Sequence, residues 1–184
     1  MPEEQAPHFP RVSISWYEAV SFCRWLATLP GFEGARLPWD AEWEVACRAG
    51  TEAAYWSGNT EADLDRVGWY GENSGGRAHH VAEKPANDFG LYDVHGNVWE
   101  WILDTTDWDA FKTRAINGIF PVDPAESPAD LAAPSPRAVR LIRGGCYWVD
   151  ALLSRSAFRN GLDPWLRSVN LGFRVLLPFA PSEP

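Results

Sequence analysis

The segment from Gly90 to Trp101, GLYDVHGNVWEW, holds the residues best spaced to bind a metal ion. Asp93 and Glu100 flank a Gly96–Asn97 turn. A hard cation such as Ca²⁺ takes several oxygens, mixing carboxylates with backbone carbonyls. The side chains of Asp93 and Glu100 and the carbonyls of Gly96 and Val98 make such a set. The same spacing fits a plain turn, in which Asp93 accepts from nearby N–H groups and Glu100 joins an ion pair. His79 and His80, with His95 further on, offer nitrogen donors. Adjacent histidines project in different directions on most backbones, and no third ligand stands at a spacing suited to zinc or iron. A solvated loop pair is the expectation for them, and His95 would act as a general base only beside a nucleophile. Cys146, after Gly144–Gly145, is the one thiol placed for such a role. A thiol nucleophile needs a lowered pKa and access, and neither a helix start nor a histidine adjoins it in sequence. Cys23 and Cys47 fall on helix faces, so all three cysteines are expected as small buried residues.

A second feature lies between Arg143 and Val175. The Gly, Asn, Asp, Pro, Ser and Arg of this stretch suit turns and water-facing backbone. Interleaved with them are Tyr147, Trp148, Leu152, Leu153, Phe158, Leu162, Trp165, Leu166 and Val169. These bulky residues form either an irregular core or a surface shaped to bind. Aromatic residues in rigid loops give large contact area at low entropic cost. Arg143, Arg155, Arg159, Arg167 and Arg174 recur through the stretch and are expected to pair with carboxylates and stack on rings.

The elements that must position these groups follow from pattern. The chain has 184 residues, 46% apolar and 22% charged, a composition for one globular domain. A net charge of -9 repels a long polyanion and argues against nucleic-acid binding. Eleven tryptophans imply a thick core around little regular structure, or a ligand surface. Three cysteines without CxxC spacing argue against a disulfide framework and for a reducing compartment. No apolar run approaches membrane-spanning length and the opening MPEEQAPHFP is not a signal peptide, so a cytoplasmic location is expected as the chain stands. Surface display would require further domains upstream.

Ser15 and Glu18 have capping-box spacing ahead of an amphipathic helix ended by Pro30–Gly31. A second helix is expected in LPWDAEWEVACRAG, with Asp40, Glu42 and Glu44 in its first turns. From Thr51 to Asn97 the helical period disappears, and short strands and ordered loops are expected. Strands are expected at NVWEWILD, AVRLIRGGCYW and LGFRVLLP, with Trp99 and Trp101 in or beside the core. The organisation is a leader at 1–11, one domain at 12–178 and a tail at 179–184. An irregular Pro/Ala/Asp-rich insertion is assigned to 104–138.

Together the motifs VSISWYEAVSFCRWL, ARLPWDAEWEVACRAG, NDFGLYDVHGNVWEW, RLIRGGCYW and LGFRV, in order from Val12 to Val175, resemble the formylglycine-generating-enzyme (sulfatase-modifying-factor) domain. The resemblance implies an α+β, C-type-lectin-like fold with two helices, a small twisted antiparallel sheet and extensive ordered loops. It also implies Ca²⁺ at Asp93, Gly96, Val98 and Glu100. Members usually carry further strands before the first helix, where this chain has a short leader, and a threonine cap where it has Trp39. The family's oxidases hold copper on two cysteines shortly after a Gly-Gly-Ser motif. Here Cys146 stands at the serine position and no cysteine follows it, so no copper is expected.

A branch of that family, the variable proteins of diversity-generating retroelements, is similar to the tail itself. Its frame is matched by Arg143, Gly144, Gly145, Arg155, Ser156, Ala157, Arg159, Pro164, Arg167, Gly172, Phe173 and Arg174. The slots between, usually asparagine or aspartate, hold Tyr147, Val149, Leu152, Leu153, Phe158, Leu162, Leu166, Ser168 and Val169. All of these types are reachable from an asparagine codon by changing its adenines; Trp148 and Trp165 are not. The resemblance implies a non-catalytic display protein whose segment 143–175 binds a protein or other macromolecular ligand. A catalytic member of the family and a docking module of a larger protein are the other readings.

Overall fold

The computed structural model describes residues 8–106 and 139–178. Most of the expected insertion at 104–138 lies outside the described residues, as do residues 1–7 of the leader and the tail at 179–184.

Helix α1 (Trp16–Leu26) starts where the capping box places it. The Ser15 hydroxyl accepts from the Glu18 N–H at 3.3 Å, and the Glu18 carboxylate accepts from the Ser15 N–H at 2.8 Å. Trp16, Ala19, Val20 and Cys23 form its buried face. Helix α2 (Asp40–Arg48) lacks a hydroxyl cap. Glu42 bonds back to the Trp39 N–H at 2.8 Å, and Ala49 and Gly50, both at positive φ, close the far end. A third helix, α3 (Glu61–Val67), corrects the expectation of strands and loops after Gly50. Thr60 and Asp63 cap it and Leu64 and Val67 anchor it, but its seven residues are too few to show a helical period.

Strands β1 (Trp99–Thr106), β2 (Val139–Arg143), β3 (Asn160–Leu162) and β4 (Leu171–Phe173) form one sheet in the order β3-β2-β1-β4. The β1–β2 and β2–β3 pairs are antiparallel, but β4 runs parallel to β1, so the sheet is mixed rather than antiparallel. The cause is the path from β3 to β4. Residues 163–170 run back past the start of α1, where the Trp16 and Ser13 N–H groups bond Pro164 and Ser168 carbonyls, and deliver β4 in the direction of β1.

Period-2 alternation sorts the sheet's side chains between the first two helices. Trp99, Trp101 and Ile142 join the α1 face in the main core with Leu37, Cys146 and Leu171. Ile102 and Leu141 join Trp43 and Cys47 of α2 on the other side. The expected core positions of Trp99 and Trp101 are borne out, as is burial of all three thiols. No described helix is long and apolar enough to cross a membrane.

Candidate functional site

The segment after β2 is tied to α2 by charge. Arg143 is fully buried, with its Nε 2.9 Å from Asp40 and its Nη2 2.6 Å from Glu44, and its guanidinium lies 4.6 Å over the Trp43 ring. Arg159 reaches the same two carboxylates at 2.8 and 2.6 Å. Burial pushes the Glu44 carboxyl up, but the charges of Arg143, Arg159 and Arg48 outweigh it and hold it below its ordinary range. Gly144 and Gly145 then turn the chain at positive φ, and a side chain on Gly145 would collide with Ser154 Oγ at 2.2 Å. Cys146 faces inward, where Asn170 Nδ2 donates to its sulfur at 3.2 Å and burial raises its pKa.

Beyond this point the interleaved bulky residues divide. Trp148 (52% exposed), Leu152, Trp165 (66% exposed), Leu166 and Val169 face solvent. Tyr147 is buried at 4%. Val149, Leu153, Phe158 and Leu162 are partly buried against the main core, and Ser168 is half-buried. The 3₁₀ turn Ala151–Ser154 makes the division local: Ala151 and Ser154 point in while Leu152 points out. Core and surface thus alternate within one segment. Trp165 rests its ring 4.3 Å from that of Tyr17, and Arg167 pairs with Glu18 at 2.8 Å, so the second half lies along α1.

The turn before β1 lies behind this segment. Asp93 adopts a left-handed φ of 56° and accepts from the Ala82 N–H at 2.8 Å. Glu100 is held by Trp43 Nε1 at 2.7 Å and by Arg174 at 2.7 and 3.1 Å, and Arg174 also donates to the Tyr92 carbonyl at 3.0 Å. These contacts belong to the plain-turn alternative. They leave room for the other, because a cavity of about 340 Å³ opens on Asp93, Val98 and Glu100, with Tyr92, Phe173 and Arg174 in its walls. Desolvation raises the pKa of the Asp93 carboxyl, and Glu100 and Glu83 add to the rise against the Ala82 bond and Arg174. Gly96 does not line this cavity and the Arg174 guanidinium already holds Glu100, so the full calcium set that the resemblance implied does not assemble around it. Among the described residues no group of three or more His, Cys, Asp or Glu side chains is placed to hold a metal, and a cation here would depend on backbone carbonyls.

The histidines serve structure. His79 stacks on Trp69 at 3.7 Å between ring centroids, and His80 is exposed. His95 is fully buried: Nδ1–H donates to the Ser154 carbonyl at 2.8 Å and Nε2 accepts from the Trp56 N–H at 3.0 Å. Burial lowers its pKa to about 4 and keeps it neutral. Its neighbour Cys47, 3.8 Å from Nε2, is pushed up to about 12 by burial. A neutral thiol and a neutral imidazole, both enclosed, form no nucleophile–base pair. Sequence reasoning missed the clamp role of His95 and the cavity walls at Tyr92, Phe173 and Arg174, because no local spacing signals contacts between residues up to 82 positions apart.

The model of the sulfatase-modifying factor enzyme 1-like domain matches residues 1–178. The chain belongs to that family. Two bovine members are each 31% identical to this domain: a formylglycine-generating enzyme, over 96% of the chain and 46% of the relative, and an inactive C-alpha-formylglycine-generating enzyme 2, over 90% and 49%. The domain therefore spans about half the length of these relatives, and about a quarter of the chlamydial kinases that also match. Among solved structures it is similar to Treponema denticola variable protein 1, with a TM-score of 0.71 and 29% identity over 95% of this chain and 73% of that one. The fold is α+β and C-type-lectin-like, as the motifs implied, with three helices and a mixed sheet.

Proposed function

We propose that this domain is a non-catalytic binding module whose segment 143–175 grips a protein or other macromolecular ligand. The observation that carries the reading is the exposure of Trp148, Leu152, Trp165, Leu166 and Val169 between neighbours locked into the core. Frame arginines hold the backbone through α2 while Trp148, Leu152, Trp165, Leu166 and Val169 face solvent, which is the arrangement a binding surface needs. Similarity to a variable protein supports the finer reading that these positions are diversified.

The enzymatic alternative has the bovine formylglycine-generating enzyme on its side. Against it stand the single, buried Cys146 and the absence of any later cysteine in the chain. Two observations decide between them. The gene neighbourhood is expected to hold a reverse transcriptase and a second copy of the 143–175 coding segment that differs mainly at adenines. A neighbourhood with neither, together with copper-dependent oxidation of a thiol peptide by purified protein, would overturn the binding reading in favour of the enzyme.

A further inference from the structure

Helix α2 also faces a cavity that the exposed residues of segment 143–175 do not line. Trp43, Ala46 and Cys47, set three and four residues apart on one side of the helix, border a space of about 200 Å³. Leu91 and Val94 close it from the loop before β1, and Leu176 closes it from the chain after β4. Cys47 and Val94 are shut off from solvent, at 0% and 2% exposure. The space is therefore a recess sized for a small group, not a groove along which a chain could lie.

Its walls are held by bonds of their own. Asn87 is buried, and its Nδ2 donates to the Ala46 and Cys47 carbonyls at 2.7 and 3.1 Å. Its Oδ1 accepts from the Leu91 N–H at 3.0 Å, so one side chain clamps Leu91 to the end of α2. Leu176 exchanges two backbone bonds with Arg36, at 2.8 and 3.1 Å.

The two charged residues in the wall have partners elsewhere. Glu42 is held by Arg36 at 2.6 Å and by the Trp39 N–H at 2.8 Å. Arg174 uses Nε and Nη2 on Glu100 and on the Tyr92 carbonyl. Burial pushes the Cys47 thiol up to about 12, so it carries no charge at neutral pH. A charged ligand would leave water here without gaining a counter-charge. An aromatic ring gains contacts, because Trp43 offers an indole to pack on and Cys47 a soft apolar sulfur. An apolar cavity of roughly 150 Å³ is enough to hold one benzene ring.

We infer that the recess between α2, Leu91 and Leu176 is a binding site for a small molecule that carries one uncharged aromatic ring. The macromolecule-binding reading of segment 143–175 neither requires this site nor depends on it.

Titration of the whole chain with toluene, phenol and benzoate, followed in ¹H–¹⁵N spectra, tests the site. Toluene is expected to shift the Trp43 indole N–H and the Leu91 and Leu176 amides with one saturable affinity. Phenol should bind more weakly and benzoate not at all. The Trp16 indole N–H, bonded to the Ile102 carbonyl in the main core, should not move. Toluene at about ten times its Kd should raise the melting temperature by about 3 °C. Ala46→Leu fills the recess from α2 and should abolish both effects, with the Trp16 resonance reporting that the fold is kept. Ala46→Met, whose flexible side chain fills the same space, is read in the same way. Trp148→Ala and Trp165→Ala should leave the toluene response intact. Shifts that survive Ala46→Leu or centre on the Trp148 and Trp165 indoles would overturn the site. Tighter binding of benzoate than of toluene would overturn the uncharged class, and no shift with toluene near its solubility limit would end the inference.

Discussion

At the scale of single residues, exposure separates side chains that belong to the fold from those available to a ligand. Trp101 is fully enclosed and its indole N–H donates to the Ile14 carbonyl at 2.9 Å. Trp165 is two-thirds exposed and lies on one ring, that of Tyr17. Trp101→Ala should therefore cost about 3–5 kcal/mol of unfolding free energy, and Trp165→Ala about 0.5 kcal/mol or less, read from urea midpoints. A cost above about 2 kcal/mol for Trp165 would make it a core residue and remove it from the binding surface. The thiols give a second test at this scale. Burial raises the Cys23 pKa to about 11 and that of Cys47 to about 12, and it also raises Cys146. Native protein at pH 7.5 should leave all three unlabelled by iodoacetamide over minutes and react at three sites once denatured. Rapid labelling of Cys146 would reopen the enzymatic reading.

At the scale of elements, the four-charge cluster between α2 and segment 143–175 is the joint on which the proposed presentation depends. Glu44 contacts Arg143, Arg159 and Arg48, and Arg143 has no access to water. Glu44→Ala leaves that guanidinium buried with Asp40 as its remaining carboxylate, and the loss should be about 3–5 kcal/mol. A change under about 1 kcal/mol in thermal or urea unfolding would show that the cluster does not hold the segment. What the sequence disclosed at this scale follows the range of the forces involved. The α1 cap was legible because Ser15 and Glu18 interact three residues apart, and β1 was legible because Trp99, Glu100, Trp101 and Ile102 alternate. The parallel entry of β4 was not, since it is decided by residues 163–170 crossing α1 rather than by the three-residue strand. The bulky positions of the segment were legible as a set, but their sides were not. Tyr147 and Trp148 differ in burial because Gly144 and Gly145 set the turn and Asn97 takes the Tyr147 N–H; the glycines are local, but the bond to Asn97 spans distant sequence.

At the scale of the whole molecule, His95 ties three distant stretches together, and its protonation state sets how stability responds to acid. The ring is shared between Ser154 of segment 143–175 and Trp56 of the loop ahead of α3, and it is buried with no carboxylate partner among the described residues. Protonating it in place would put a charge in the core and turn the acceptor for the Trp56 N–H into a donor. Its folded pKa of about 4 lies below the ordinary histidine value of 6.5. Between those values the unfolded chain carries the proton and the folded one does not. Stability is therefore full above about pH 7 and falls as pH drops from 6.5 toward 4, by on the order of 3 kcal/mol. The depressed carboxylates Glu42 and Glu44 act lower on the scale, since an acid with a lowered pKa loses its contribution only below the ordinary value of 4.5. Asp93, whose pKa is raised, works in the opposite direction and gains stability as it protonates. Of these groups the histidine alone takes stability away as pH falls from 6.5 to 5. Urea midpoints measured across that range should fall steadily in the native protein. His95→Gln, whose side-chain amide can still donate and accept but cannot titrate there, should be less stable at pH 7.5 and flat from 6.5 to 5. An equal slope in the variant would assign the acid sensitivity to other groups and leave His95 as a packing residue alone.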